Sequence, residues 1–177
     1  YFEKTDNVQI RDLALSSSDF LLNDLHKAEV SPGISLSYSP FEKNVVHNAN
    51  ALAASLLSRC YSITKKEIYK ETSLKLISLL ISEQKPDGSW SYSINLKTGE
   101  EKNQLDWHQG FILQSLKEAF DYLNLVDKEH EKVLIRGLDF YEKQFTFEGE
   151  GFWRYPQKYP INIHNQAQGI ITFSLLN

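Results

Sequence analysis

Apolar residues recur every three or four positions in six segments of the chain, with polar and charged residues between them. This spacing puts the apolar side chains on one face of an α-helix, so each segment is predicted to be helical. The predicted helices cover residues 8–27, 48–61, 65–84, 107–125, 129–145 and 165–176. Pro86 and Gly88 follow the third segment and favour its termination.

The charge on these helices alternates along the chain. The helices at 65–84 and 129–145 have a charged face, whereas those that begin near His47, His108 and His164 carry fewer charges. A less charged helix is buried on more sides. The pattern therefore predicts an all-α fold of three α-hairpins, each with one outer and one inner helix. Strands are expected only as short pairs in the connecting segments, such as residues 89–94.

A repeat underlies this alternation. His47, His108 and His164 each open an inner helix, and each is followed by an amide residue, in the dipeptides His-Asn, His-Gln and His-Asn. Before each histidine lies a connector that reads GISLSY, GSWSY or GFWRY. Such two-helix units stack into a curved array. The chain is thus predicted to be one domain, residues 1–177, with repeats at about 8–61, 65–125 and 129–177, forming part of an α/α toroid.

Parallel inner helices would all begin at the same rim of this toroid, and the three histidines would meet there. Helix N-termini present unpaired N–H groups and the positive end of the helix dipole. A cavity at that rim would favour anions such as carboxylates.

The motifs also resemble known families. QKPDGSW, residues 84–90, is similar to the Gln-x-x-x-Gly-x-Trp repeat of the squalene/hopene cyclase and prenyltransferase toroids, whose acidic protonation motif is absent here. VHNANALAASLL, DWHQGFILQSL and YPINIHNQAQGIITFSLL resemble a group of uncharacterised bacterial α/α-toroid proteins associated with surface-polysaccharide genes. That group looks like the six-hairpin glycosidase and polysaccharide-lyase architectures. The resemblance implies more than three hairpins, with this chain as the C-terminal part.

Some members of that group carry an aminolevulinate-dehydratase label. That enzyme is a TIM barrel with a Schiff-base lysine, and this sequence shows no alternation of strands and helices. The label therefore does not suit the chain.

Composition narrows the choice of partners and compartment. The net charge is −4 at pH 7 and the isoelectric point is about 5.7, which argues against a nucleic-acid binder. No apolar run is long enough for a transmembrane helix. Cys60 is the single cysteine, so a reducing, cytoplasmic location is expected. A partial toroid exposes two apolar faces, so we expect a homodimer or a further segment that closes the ring.

The candidate catalytic residues lie where the second and third inner helices begin. His108 or His164 is predicted to act as acid and base, with Tyr155 or Tyr159 assisting. Asp106 could orient the ring of His108, although it could equally serve as an N-cap.

Other residues at the same rim are predicted to bind substrate. Trp107 would stack on a sugar ring, and Arg154 and the amides would hold a carboxylate. The predicted substrate-binding residues are His47, Asn48, Asn50, Trp107, Gln109, Arg154, Asn165 and Gln168. Trp90 and Trp153 are interpreted instead as anchors of the connectors on the outer helices.

These residues favour a carbohydrate-active or carbohydrate-binding domain, with a lyase- or epimerase-type activity on an acidic polysaccharide. Hydrolysis of a glycosidic bond needs two carboxylates, and only Asp106 clearly qualifies at the rim. A non-catalytic helical scaffold and an isoprenoid-handling toroid remain alternatives. No cofactor is expected. A zinc site of three histidines is a further alternative, which lacks the usual closely spaced pair of ligands.

Overall fold

The computed structural model describes residues 7–176, which form three consecutive α-hairpins joined by short strands. The helices are α1 (Val8–Asn23), α2 (His47–Thr64), α3 (Glu67–Ser82), α4 (His108–Leu123), α5 (Lys128–Glu142) and α6 (Ile163–Leu176). The strands are β1 (Lys27–Val30), β2 (Gly33–Leu36), β3 (Val45–Val46), β4 (Ser93–Ile94) and β5 (Glu101–Lys102). The all-α class, the six helices and the short strand pairs confirm the prediction.

The first helix is shorter than its apolar pattern predicted. It ends at Asn23 rather than near residue 27, and Lys27 instead opens β1. In β1, half-buried residues alternate with exposed ones, which places Ala28 and Val30 on one face. This alternation of period two lies directly after the helical pattern, and the sequence-based prediction missed it.

The inner helices α2, α4 and α6 line one side of the array. Helix α2 packs against α3 and α4, and α4 packs in turn against α5 and α6. Ala51 and Ala54 of α2 are fully buried, and such small residues let neighbouring helices approach closely. The core continues through Leu57, Leu76 and Leu113, all without solvent exposure. Burial of each such leucine stabilises the fold by about 2 kcal/mol.

Two small antiparallel sheets hold the connectors in place. Strands β1 and β2 form one, and β4 lies between β3 and β5 in the other. Because β3 leads into α2 whereas β4 and β5 precede α4, the second sheet ties the start of one inner helix to the connector of the next α-hairpin. The starts of α2 and α4 are thereby fixed side by side.

Each of the first two connectors also rests on the outer helix of the following α-hairpin. A Cβ atom on Gly33 would lie 2.0 Å from the carbonyl oxygen of Lys75 in α3, and one on Gly88 would lie 2.0 Å from that of Arg136 in α5. Gly88 also has a φ of +93°, which disfavours any side chain. The glycine at the head of these connectors is therefore required by a contact of backbone with backbone.

The helices between residues 7 and 176 include none with the length and apolar character that a membrane crossing requires.

Candidate functional site

A group of aromatic rings gathers where α4 and α6 begin, and we call it the rim cluster: Tyr92, Trp107, His108, Trp153 and His164. Trp107 lies at its centre. Its ring centroid is 5.1 Å from that of His108, in a stacked arrangement, 5.8 Å from that of His164 and 5.9 Å from that of Trp153. The ring of Tyr92 meets His108 edge-on, at 4.9 Å between centroids. The fold thus brings the second and third predicted histidines together.

Asp106 and His108 form a hydrogen-bonded pair within this cluster. The carboxylate of Asp106 is fully buried, and its Oδ1 lies 2.5 Å from Nδ1 of His108 and 3.1 Å from the backbone nitrogen of the same residue. Its other oxygen accepts a hydrogen bond from Nε2 of Gln104 at 2.8 Å. Asp106 therefore both caps the start of α4 and holds the imidazole, so the two readings of this residue are compatible.

This pairing fixes what His108 can do chemically. A carboxylate only accepts hydrogen bonds, so Nδ1 carries the proton and Nε2 of the neutral ring keeps its lone pair. The His108 side chain is 16% exposed, which leaves the ring within reach of a ligand. An imidazole oriented by a buried carboxylate is suited to general acid–base work.

His164 has a simpler environment. Asn162 occupies the position that Asp106 has before His108, and its Oδ1 accepts a hydrogen bond of 2.8 Å from the backbone nitrogen of His164. Asn162 therefore makes the same bond to the backbone of His164 that Asp106 makes to the backbone of His108. The His164 side chain is exposed, and its ring lies against Trp107.

His47, the first histidine of the repeat, is wholly buried. Its Nδ1 donates to the carbonyl oxygen of Ser91 at 2.7 Å, and its Nε2 has no hydrogen-bond partner among the described residues. Burial lowers the pKa of His47, against the opposing effect of the hydrogen bond to Ser91. The residue therefore stays neutral near pH 7. Its backbone nitrogen donates to the carbonyl of Tyr92, so it lies behind the rim cluster.

Three buried amides near the helix starts clamp the connectors. Asn50 bonds both the backbone nitrogen and the carbonyl oxygen of Leu36, at 2.8 and 3.1 Å. Gln109 does the same to Trp90, at 3.0 and 2.8 Å. Asn165 donates to the carbonyl of Phe152.

A hydrogen bond from an amide to a connector carbonyl thus recurs in all three repeats, and the first two add a bond from the connector N–H. In the first repeat the clamp is Asn50, three residues after the histidine, rather than the adjacent Asn48. The side chain of Asn48 is half-buried, and its Oδ1 has no partner in the described part of the chain.

A polar chain runs deeper between the inner helices. Gln168 donates to Oε1 of Gln114 at 3.0 Å, Gln114 donates to Glu118 at 3.0 Å, and Ser55 donates to the other Glu118 oxygen at 2.6 Å. Gln168 itself is buried. The Nε2 group of Gln168 is therefore already hydrogen-bonded between the helices. A contact of Gln168 with substrate at the rim stays a prediction.

Arg154, Tyr155 and Tyr159 lie in the third connector. The guanidinium of Arg154 lies over the Trp153 ring, 5.6 Å from its centroid, and its side chain is exposed. The ring of Tyr155 is half-buried against Phe140. Tyr159 is 63% exposed. Among the described residues, Arg154 is therefore one of two cations in contact with the rim cluster; the other is Lys102, whose ammonium group lies 4.9 Å from the centroid of the Tyr92 ring.

The structure also assigns residues that the sequence-based list left out. Trp90 is fully buried and donates from Nε1 to the carbonyl of Leu80 at 2.7 Å, which confirms it as an anchor on the outer helix. Tyr92 joins the rim cluster, and Gln104 supports Asp106. The place of Tyr92 in the second connector matches that of Tyr155 in the third, and this repeat was the available signal.

Within residues 7–176, no three His, Cys, Asp or Glu side chains are grouped in a way that could hold a metal ion.

The fold matches solved structures at low sequence identity. An unsaturated glucuronyl hydrolase from Streptococcus agalactiae matches with a TM-score of 0.75 and 12% identity, over 99% of this chain and 48% of that one. A family 76 glycoside hydrolase (mannosidase) from Bacteroides thetaiotaomicron gives 0.74 and 11%, over 99% and 50%. A cellobiose 2-epimerase from Bacillus thermoamylovorans gives 0.70 and 12%, over 97% and 48%.

These likenesses establish the architecture. No protein-family model matches the sequence, and no curated protein matches it significantly. The chain spans about half the length of the solved structures it matches. Residues 7–176 therefore have the fold of three consecutive α-hairpins of an α/α toroid.

Proposed function

We propose that the rim cluster binds an oligosaccharide, and that His108 transfers a proton in a lyase- or epimerase-type reaction on an acidic polysaccharide. The observation that carries the proposal is the buried Asp106 bonded to the half-buried His108, beside the ring of Trp107. The solved toroids with the same fold are each named for a sugar substrate, which supports the choice of ligand. The setting would be polysaccharide biosynthesis or processing.

Each residue has a distinct role in this proposal. Trp107 offers a flat apolar face to the C–H groups of a sugar ring. His108, with its lone pair on Nε2, removes the proton next to a carboxylate group. Exposed His164 then donates a proton, to the same carbon in an epimerase or to the departing glycosidic oxygen in a lyase, where the C–O bond breaks as the C=C bond forms. Arg154 neutralises the carboxylate and so makes that proton more acidic. Tyr159, which is exposed in the same connector, would assist.

Proton abstraction suits this rim better than hydrolysis does. Glycoside hydrolysis needs two carboxyl groups on either side of the scissile bond. Among the described residues, the contacts of the rim cluster bring in only Asp106, and that carboxylate is buried and bonded to His108 and Gln104. It can orient the imidazole, but it is shielded from a sugar.

A non-catalytic scaffold is the second candidate. The amide clamps favour it, because the side chains of Asn50, Gln109 and Asn165 bond the connector backbone instead of a ligand. An isoprenoid ligand is less well supported, since polar side chains join the inner helices at Ser55 and Glu118.

The two candidates are separated by measuring glycan binding and turnover on neutral and acidic polysaccharides. We expect Trp107→Ala to weaken binding about fivefold, because an aromatic contact contributes about 1 kcal/mol. His108→Ala should leave binding nearly unchanged and lower turnover by about 10²- to 10⁴-fold. Phe147→Ala serves as the matched control, since this connector residue is fully exposed and outside the rim cluster.

Unaltered binding in Trp107→Ala, together with unaltered turnover in His108→Ala, would refute the proposed site. Binding that depends on Trp107 without any turnover would keep the glycan site and refute the proton transfer. No glycan binding by the wild type would favour the scaffold.

A further inference from the structure

A cavity lies among the connectors, outside the rim cluster. It is enclosed by the β1–β2 pair, the segment before β3 and the turn between β4 and β5, and its volume is ≈ 240 Å³. Its lining includes His26, Lys27, Ser37, Lys43, Leu96 and Lys97. A neighbouring cavity of ≈ 350 Å³ shares Lys43, Leu96 and Lys97, so the two form one continuous recess.

The charge of this recess is unbalanced. Lys27, Lys43 and Lys97 all line it, and no acidic residue of the described part of the chain does so. None of the three ammonium groups has a carboxylate partner between residues 7 and 176. Elsewhere in the connectors lysines are neutralised, for example Lys85 by Glu101 at 2.8 Å. The imbalance is notable because acidic residues outnumber basic ones, 23 to 19, in the whole chain.

A buried hydroxyl group adds a directed donor. Ser37 is only 5% exposed, and its Oγ accepts a hydrogen bond of 2.9 Å from the backbone nitrogen of His26. Its own hydroxyl proton finds no acceptor among the described residues, so it can be donated into the cavity. Leu96 and Ala28 supply apolar lining beside these polar groups. Such a mixture of apolar walls and a few polar groups is typical of small-molecule sites.

We propose that this recess binds an oxyanion carried by an acidic glycan, with Lys27, Lys43 and Lys97 neutralising the charge and Ser37 donating a hydrogen bond. The inference rests on the proposed function, in that the anion belongs to a glycan. Ionised groups make the strongest hydrogen bonds in such sites, and lysine side chains around one recess favour an anion there.

The strand pair β4–β5 connects this recess to the rim cluster. Tyr92 contacts His108 just before β4, and Lys97 lies five residues after Tyr92. The backbones of Tyr92 and Lys97 are therefore at most about 18 Å apart, the length of an extended chain. An oligosaccharide of a few residues can therefore contact Trp107 at one end and the lysines at the other. The recess would select the charge of the ligand and help to fix its direction across the rim.

The test compares binding of three probes by calorimetry: an oligogalacturonate, a sulfated oligosaccharide and a neutral cello-oligosaccharide. The variant Lys43→Gln/Lys97→Gln removes two charges from exposed positions. We expect up to about a fivefold loss of affinity per lysine for the acidic probes, greater at low salt, and no loss for the neutral one. The control Lys75→Gln/Lys128→Gln removes two exposed charges from outer helices and should change nothing.

Equal affinity of the wild type and Lys43→Gln/Lys97→Gln for both acidic probes would overturn the inference. The same holds if inorganic phosphate alone binds the recess as tightly as the oligosaccharides do, because the ligand is then a free anion. Trp107→Ala separates this result from the proposed function. A lysine effect without a tryptophan effect refutes only the rim site, whereas the reverse refutes only the recess.

Discussion

Replacing Gln109 with leucine tests the amide clamps that give the repeat its form. Gln109 is buried at the start of α4, and its side chain bonds both the N–H and the carbonyl of Trp90. Leucine is close to glutamine in size but offers neither a donor nor an acceptor. The substitution therefore removes two hydrogen bonds and leaves the bulk of the side chain in place.

The cost follows from the burial of Trp90. Each buried backbone group that loses its partner destabilises the fold by about 1–3 kcal/mol. Two such groups give about 2–6 kcal/mol, and the more apolar leucine side chain offsets about 1 kcal/mol of this. We expect the free energy of unfolding to fall by about 3 kcal/mol. For a chain of this length, that corresponds to a decrease in Tm of about 6–12 °C.

The measurement is urea-induced unfolding followed by circular dichroism, with the thermal transition as a second readout. Gln9→Leu is the matched control, because Gln9 lies on an exposed face of α1. This change should stay within about 0.5 kcal/mol of the wild type. The m-value should be the same in both variants if they unfold from similarly compact states.

A loss of less than 1 kcal/mol in Gln109→Leu would contradict the reasoning. It would mean that the Trp90 backbone groups find other partners, and that the side chain of Gln109 is free for a ligand, as the sequence predicted.

Three further substitutions test other parts of the argument. Burial lowers the pKa of His47, so the unfolded chain binds more protons than the folded one. The free energy of unfolding should therefore decline as the pH falls below about 6.5, by up to about 1.4 kcal/mol per pH unit. Urea unfolding of His47→Gln across this range should show a shallower decline. Gly88→Ala adds a Cβ against the Arg136 carbonyl at a positive φ, and calorimetry should show a loss of at least about 2 kcal/mol. In Asp106→Asn the amide can donate to Nδ1 of His108, which favours the tautomer with the proton on Nε2. ¹⁵N NMR should detect this tautomer, and an activity assay should show lower turnover.

Helical periodicity predicted the framework because it reflects burial on one face of each segment. The order of outer and inner helices follows from the charged faces at 65–84 and 129–145, and these became α3 and α5. The positions of the histidines at the starts of α2 and α4, and next to the start of α6, follow from the repeat. These features depend on contacts that recur at fixed spacing along the chain.

The site was less predictable, because it depends on contacts between residues far apart in sequence. The repeat shows an amide beside each histidine, but it cannot show that Gln109 faces the backbone of Trp90, 19 residues away. Nor can it show that His47 donates to Ser91, 44 residues later, inside the core. Whether a polar residue faces a ligand or the protein is decided by these long-range partners.

The three histidines show how one repeat produces different chemistry in each copy. The residue two positions before the histidine is Val45, Asp106 or Asn162. Valine offers no side-chain acceptor, and the buried ring of His47 donates instead to the backbone carbonyl of Ser91. Asparagine caps the helix start and leaves the His164 ring exposed. Aspartate caps the helix and also holds the imidazole, so only the second copy combines an oriented ring with access from outside. The case for proton transfer therefore depends on Asp106, and the repeat itself accounts only for the scaffold around it.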